Sequence, residues 1–324
     1  MYITLLIASL FMLFTTLAPH LPGKHWLIRV WEFPRLQLFV LILLCITGWL
    51  FMAMTHPVVA GVMITALALA GIYQATWILP YTALWPKQVR QVSQIDDNCT
   101  VSILTSNVYM YNENYEGLKT LVRQYQPDML ILLESNQAWQ EAMSSIHLEY
   151  PHRLACPLEN LYGMHLYSKL PFKGEQIRYV VEDDVPSMQV QIDINGTLVT
   201  VYFLHPKPPS PTENESAAPR DTELAIIGKE MAEHKDPVIV SGDLNDVAWS
   251  PSTRRFRKLS KAQDPRVGRG FYNTFHAKYP LVRWPLDHIF HSQDFEMVKV
   301  ERLPGYGSDH FPLFTQLQLT KKRW

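Results

Sequence analysis

The chain has 324 residues, 48% of them hydrophobic, and a formal net charge of -1. That apolar content excludes a disordered chain, and three cysteines exclude a disulfide scaffold. Charged residues make up only 18% and are absent from 1–23 and 36–86, which argues against a wholly soluble protein.

Three runs qualify as membrane spans, at 2–18, 36–54 and about 57–80. The last two hold roughly 20 residues each, enough to cross the hydrocarbon of a bilayer. The first is shorter and could be the core of a signal peptide. No basic residue precedes it, however, and no convincing small-x-small cleavage site follows it. Thr55, His56 and Pro57 suit a tight hairpin between the second and third runs. Trp49, Trp77, Tyr81 and Trp85 fall near span ends, where amphipathic rings prefer to sit. The bland alternative is a buried helical hairpin in a soluble protein.

Lys24, Arg29 and Arg35 lie in the first loop, and Lys87 and Arg90 follow the third run. The positive-inside rule then places everything after the third run in the cytoplasm. A cleaved first run would instead leave it outside. The expected organisation is a multi-pass cell-membrane anchor over 1–81, a polar linker over 82–99 and a soluble domain over 100–324.

The soluble part carries 24 Lys+Arg and 27 Asp+Glu, a net of -3, so it lacks the global positive charge of a protein that coats nucleic acid. In chain order, 101–108 reads as a buried strand. Tyr115, Leu118, Leu121, Val122 and Tyr125 recur at helical spacing and make 114–125 a helix. A strand at 129–133, a helix around 137–147 and a strand near 163–168 follow. Strands 188–194 and 197–204 meet at Asn195 and Gly196, the strongest short hairpin signal. Five prolines mark 206–219 as a surface loop. A helix over 220–234 and strands at 238–241, 286–290, 297–302 and 313–319 complete the chain. Mixed βα units with antiparallel hairpins predict an α/β sandwich rather than a purely parallel sheet.

One pattern repeats. An apolar strand ends and a polar residue with metal or phosphate chemistry follows: Asn107, Glu134, His205, then Gly242, Asp243, Leu244 and Asn245. Asp287 and His288 sit inside an apolar run, and Gly307 and Ser308 precede Asp309 and His310. Strand ends in α/β sheets are where sites gather. Asp243 and Asn245 are two apart, so an extended chain points both the same way. Taken singly, each has a bland reading: Glu134 as a helix-cap acid, Asn107 and Asp243 as turn residues, His205 as a satisfied interior histidine. Asp287 is harder to dismiss, because a charge in an apolar run needs a partner. The ordered set is the specific signal.

That set resembles the endonuclease/exonuclease/phosphatase superfamily, which includes deoxyribonuclease I, apurinic endonucleases, neutral sphingomyelinases and inositol polyphosphate 5-phosphatases. The matching pieces are Ser106 to Val108, Pro127 and Asp128 with Leu133 and Glu134, Tyr162 and Gly163, Leu204 to Pro206, Gly242 to Asn245, Leu286 to Ile289 and Gly307 to His310. They occur in the family's order over about residues 100–318. Spans before the domain resemble a bacterial membrane-anchored branch. The resemblance implies a two-sheet, deoxyribonuclease I-like α/β sandwich preceded by three transmembrane helices. Two departures stand out: Leu133 replaces the usual glutamine, and no long DNA-gripping insertion is visible.

The implied activity is hydrolysis of phosphodiester or phosphomonoester bonds with Mg²⁺, or Mn²⁺ in its place. Mg²⁺ takes oxygen ligands and keeps several waters, so Glu134 is expected as principal ligand with Asn107 and Asp309. Asp243 is expected beside the attacking water, Asn245 on a phosphoryl oxygen and His310 on the phosphate or a proton, oriented by Asp287. His205 would bind phosphate or serve the leaving group. Arg254, Arg255, Arg257 and Arg269, with Lys258, Lys261 and Arg266 nearby, read either as a patch for anionic phosphates or as a solvated helix face. Phe271, Tyr272 and Phe275 read as base-stacking or core residues. The expected substrate is nucleic acid, as for an endonuclease, or a phospholipid headgroup or small phosphoester, with the bilayer as partner. A noncatalytic scaffold is the remaining alternative. Cys99 and Cys156 could pair in an oxidising compartment.

Overall fold

The computed structural model of the protein describes residues 2–320. The extreme ends of the expected anchor and soluble units, residue 1 and residues 321–324, lie outside the described residues. The membrane-type helices are α1 (Tyr2–Leu17), α3 (Arg35–Met52) and α4 (Pro57–Ile78), with the short α2 (Trp26–Arg29) between the first two. The segments Tyr2–His20, Arg35–Met52 and Pro57–Tyr81 are each long and apolar enough to cross a membrane. They pack on one another through Leu38, Ile42, Trp49 and Leu67, while Ile7, Leu44 and Leu69 face outward and are exposed.

The rest is a sandwich of two mixed sheets. The first has six strands: β1 (Thr100–Asn107), β2 (Met129–Leu133), β3 (His152–Cys156), β4 (Met164–Ser168), β10 (Phe295–Arg302) and β11 (Leu313–Leu319), in the order β10-β11-β1-β2-β4-β3. The second has β5 (Phe172–Arg178), β6 (Ser187–Ile194), β7 (Thr197–Leu204), β8 (Val238–Asp243) and β9 (Asp287–His291), in that order. Helices α5 (Tyr115–Tyr125) and α6 (Gln137–Ala142) are the first sheet's own helices; α7 (Ala218–Glu233) and α8 (Pro251–Ser260) are the second's.

Strand β2 explains why apolar runs without alternation form strands here. Met129, Ile131 and Leu133 join the core between the sheets. Leu130 and Leu132 pack with Leu118, Val122 and Trp139 of α5 and α6. Both faces are covered, so every position is apolar. On the other side, Tyr202, Leu204 and Val240 pack with Leu224, Ile227 and Phe256 of α7 and α8. The 195–196 hairpin forms as expected, with positive φ at both Asn195 and Gly196.

Strands β3 and β5 had no counterpart in the sequence reading. Both are half-exposed, with polar residues and a glycine breaking the apolar signal. The expected helix at 137–147 ends early, continuing as a 3-10 turn over Met143–Ile146. Helix α8 realises the helix that was one of the two readings of the basic stretch; it opens on Pro251, with the Ser250 hydroxyl capping the Thr253 N–H at 3.0 Å.

The helical bundle ends on the sandwich. Ile78 and Tyr81 share a cluster with Val247, Ala248, Trp249 and Leu286. The Tyr81 hydroxyl donates to the Ala248 carbonyl at 2.6 Å. The segment expected as a linker is bound along its length: Gln88 N–H donates to Val267 O and Val92 N–H to Met297 O, and Val89 is buried.

Candidate active site

Within each sheet, pairing register gathers the strand-borne part of the site. In parallel strands β1 and β2, Asn107 lies opposite Leu133, so Glu134 follows at the same end. In parallel strands β7 and β8, Leu204 lies opposite Gly242, which sets His205 beside Asp243. Antiparallel β9 places Asp287 opposite Asp243. The two sheets are joined just beneath, where the Thr105 and Ser241 hydroxyls meet at 2.7 Å.

Two glycines permit this geometry. A Cβ on Gly242, whose φ is +145°, would lie 2.0 Å from the Leu204 carbonyl oxygen, so only glycine allows β7 and β8 to approach here. A Cβ on Gly163 would lie 2.0 Å from the Ser135 carbonyl oxygen; Gly163 instead accepts the Ser135 N–H at 3.0 Å. That turn presents Glu134, held at a left-handed φ of 56°. Asn245 is left-handed too, with φ of 50°. Such backbone concentrates at functional sites.

The side chains form one network. The Asn107 amide donates to Glu134 Oε1 at 2.7 Å and to Asp243 Oδ2 at 3.1 Å. Its Oδ1 accepts the Tyr109 N–H. Asp243 Oδ1 accepts the Asn245 N–H at 2.8 Å. His310 Nδ1 donates to Asp287 Oδ2 at 2.8 Å, and its Nε2 lies 3.5 Å from Asp243 Oδ2. His205 Nε2 is 4.0 Å from both Glu134 and Asp243. Asp309, Glu134, Asn245 and His310 line one cleft. All eight expected acid, amide and imidazole residues therefore belong to one centre.

Burial sets the charges. It pushes the Glu134 carboxyl up to about 8, with the Asn107 bond opposing. It pushes Asp243 up to about 7. It opposes the charged form of His310, but Asp287 and Asp243 overcome it and push His310 up to about 10. His205 is driven down to about 3 and is neutral; its Nδ1 has no hydrogen-bond partner.

The arginines expected to flank a phosphate lie elsewhere. Arg254 stacks 3.8 Å from the Trp77 ring centroid and donates to the Thr76 and Trp77 carbonyls. Arg257 donates to the Tyr81 hydroxyl, and Arg269 to the Val89 and Pro265 carbonyls. Arg255 sits on a shallow pocket with Lys24 and Arg29. None of the four lines the cleft. The docking of α8 accounts for Arg254: Phe256 packs on Phe290, and the Arg254 guanidinium meets carbonyls of the last turn of α4, which have no partner within the helix. Nor is this a plain solvated face. Cys99 and Cys156 are both free thiols, with Asn195 beside the first and Tyr179 beside the second.

Sequence reasoning missed two supporting residues, Thr274 and Arg220, and left a third, Phe275, open. Thr274 Oγ1 accepts the Asp287 N–H at 3.1 Å. Phe275, undecided between stacking and core, has its ring 4.9 Å from that of His310. Arg220 is buried and donates to the Asn245 carbonyl at 2.9 Å while lying 3.3 Å from Asp246. No local pattern marks these contacts, which join distant loops and helices.

Solved structures share the fold. TDP2 of D. rerio complexed with a single-strand DNA product is 16% identical, with TM-score 0.57, covering 69% of this chain and 100% of that one. An endonuclease/exonuclease/phosphatase from Bacteroides vulgatus is 16% identical, with TM-score 0.55, covering 68% and 99%. A family protein from Leptotrichia buccalis is 16% identical, with TM-score 0.52, covering 68% and 100%. No curated protein matches the chain. The sequence model of the Endonuclease/Exonuclease/phosphatase family matches residues 104–310, more than half of the chain, and the chain belongs to that family.

Proposed function

We propose that the protein is a membrane-anchored, divalent-metal-dependent phosphoesterase with residues 1–81 as anchor and 100–324 as catalytic domain. The observation that carries this is the convergence of Glu134, Asn107, Asp243, Asp287 and His310 at one end of both sheets. Hydrolysis adds water to phosphorus and breaks one P–O ester bond. The site must orient the water, take its proton, hold the phosphoryl oxygens and protonate the leaving oxygen.

Asp243 is assigned to the water. Its carboxylate is fixed by Asn245 and Asn107, and at about 7 its proton affinity suits a base. His310, an imidazolium held by Asp287, is assigned to the phosphate and to proton delivery. The Asn245 amide, now donating to the Pro206 carbonyl, is assigned to a phosphoryl oxygen. Neutral His205 contributes a hydrogen bond rather than an acid.

Glu134, with Asn107 and Asp309, would hold Mg²⁺ or Mn²⁺. The fit rests on the donors: hard oxygens around a carboxylate whose negative form lacks enough positive charge nearby. A bound divalent ion supplies neutralisation of charge on the phosphoryl oxygens. Asp243, Asp287 and His310 also offer atoms within 4.8 Å of one another. His310 already spends Nδ1 on Asp287 and carries the balancing proton, so Glu134 is the better ligand.

The three apolar helices are assigned to the bilayer, with the domain on the cytoplasmic side, supported by Lys24, Arg29, Lys87 and Arg90 at the domain end. The DNA product held by the D. rerio neighbour makes nucleic acid a second substrate reading. The test is hydrolysis of a chromogenic phosphodiester by the full chain in detergent, with Mg²⁺ or with EDTA. Equal rates in both would sink the metal-dependent reading.

A further inference from the structure

The cleft above the catalytic cluster has a volume of about 740 Å³. Glu134, Asp309 and His310 form one end of it. The anchor also lines it through Trp26, Val30 and Phe33, in the segment between α1 and α3, together with Leu281 and Val282 of the loop before β9; Phe33 packs on Trp284, Trp284 on Phe275 and Phe275 on His310, so two rings lie between this apolar part and the imidazole. The anchor and the loop are tied, because the Gln37 amide of α3 donates to the Leu281 carbonyl at 3.0 Å.

This apolar surface continues onto the helices assigned to the bilayer. Trp31 packs edge-on against Phe11 and Phe14 of α1, at 5.6 and 6.3 Å between ring centroids. Both phenylalanines are exposed on the outside of the bundle, and Leu27, Val30, Leu281 and Val282 are exposed beside the cleft. Among the described residues, no lysine or arginine lines the cleft. A nucleic-acid strand brings a phosphate about every 3.4 Å and calls for cations on either side of the scissile one. A lipid brings a short charged headgroup and an apolar remainder.

We propose that the substrate is a membrane lipid bearing a phosphoester, bound with its phosphate at the Glu134 and His310 end and its apolar part against the anchor's Trp26–Phe33 wall. This rests on the phosphoesterase reading and adds to it that the anchor forms part of the substrate site. Water adds to phosphorus and one P–O bond breaks, so a diester yields one alcohol and one phosphomonoester, the proton from water passing to the leaving oxygen.

The experiment uses the full chain in nanodiscs with Mg²⁺. The probes are vesicle-derived phosphatidylcholine, phosphatidylethanolamine, phosphatidylglycerol, phosphatidylinositol and sphingomyelin, a chromogenic diester and a single-stranded DNA oligomer. Phosphorus NMR follows the lipids. At least one lipid is expected to be cleaved at least 10 times faster than the oligomer. Val30→Asp and Leu281→Asp, at exposed positions, are expected to lower the ratio of lipid to chromogenic-diester rates about 10-fold or more, with the circular dichroism of the native chain. Faster cleavage of the oligomer than of every lipid, or a ratio unmoved by both substitutions, overturns the lipid assignment. Diester cleavage with no lipid cleaved also overturns it and leaves the phosphoesterase reading standing. No cleavage of any probe overturns both.

Discussion

The indole N–H of Trp249 donates a 2.9 Å hydrogen bond to the main-chain carbonyl of Glu32. Trp249 follows the Gly242–Asn245 stretch, and Glu32 belongs to the segment between the first two apolar helices, so the sandwich and the helical bundle are fastened at this point. Trp249 is buried and stacks edge-on with Phe271 and Tyr81. Trp249→Ala is expected to cost about 3–5 kcal/mol. A fragment comprising residues 82–324 is expected to aggregate, because it uncovers Val247, Trp249 and Leu286. Size-exclusion chromatography and a thermal melt check this; a monomer as stable as the full chain would refute it.

Asp287 and His310 act as a pair. Asp243→Ala and His310→Ala are each expected to reduce turnover by about 10² to 10⁴ while circular dichroism stays native. Asp287→Asn keeps the shape but removes the charge that holds the imidazolium, so it should lower the pH at which His310 loses its proton. A basic limb of the rate profile that does not move toward lower pH would reject that role.

Gly242→Ala is expected to destabilise the fold by about 3 kcal/mol or more, since the new methyl would meet the Leu204 carbonyl at 2.0 Å in a left-handed backbone. Urea unfolding measures the loss, and a change below about 1 kcal/mol would show that the two strands can part freely.

Glu134 should report the metal without any assay of turnover. At pH 7 the buried carboxyl, pushed up to about 8, largely holds its proton. A divalent ion that binds only the folded state raises the melting temperature. Addition of 10-fold graded Mg²⁺ is expected to raise it in the native chain and not in Glu134→Ala; an identical shift in both would place the ion elsewhere.

Glu223 gives stability a pH dependence of its own. It is buried on α7 with one carboxylate oxygen unpartnered, and burial, helped by Glu182, pushes it up to about 8 from its ordinary 4.5. Between those two values the folded state keeps a proton that the unfolded chain has released. Stability from this group is therefore full below the lower value and declines as pH rises through the window, by an amount on the order of a few kcal/mol. Glu223→Gln should flatten that decline in unfolding curves taken from pH 5 to 9; an unchanged slope would assign it to other groups.

The sequence by itself determined the three apolar helices, most strands of both sheets and the eight polar residues of the centre. Length without charge specifies a helix long and apolar enough to cross a membrane. Fully apolar runs such as 129–133 specify strands covered on both faces, and an ordered set of polar residues at strand ends specifies where a site can form. Edge strands such as β3 and β5 escaped notice, because a half-solvated edge needs few apolar residues and leaves little pattern.

Only the tertiary structure decided what those residues touch. Arg254, Arg257 and Arg269 are cationic in any reading, but Arg254 is taken up by the Thr76 and Trp77 carbonyls, Arg257 by the Tyr81 hydroxyl and Arg269 by the Val89 and Pro265 carbonyls. Likewise 18–34 reads as a loop between apolar runs, yet Trp26, Val30 and Phe33 line the cleft that holds Glu134 and His310. Local sequence fixes the charge and reach of a side chain; its partners come from contacts between segments hundreds of residues apart, whose register is set by burial of the whole core.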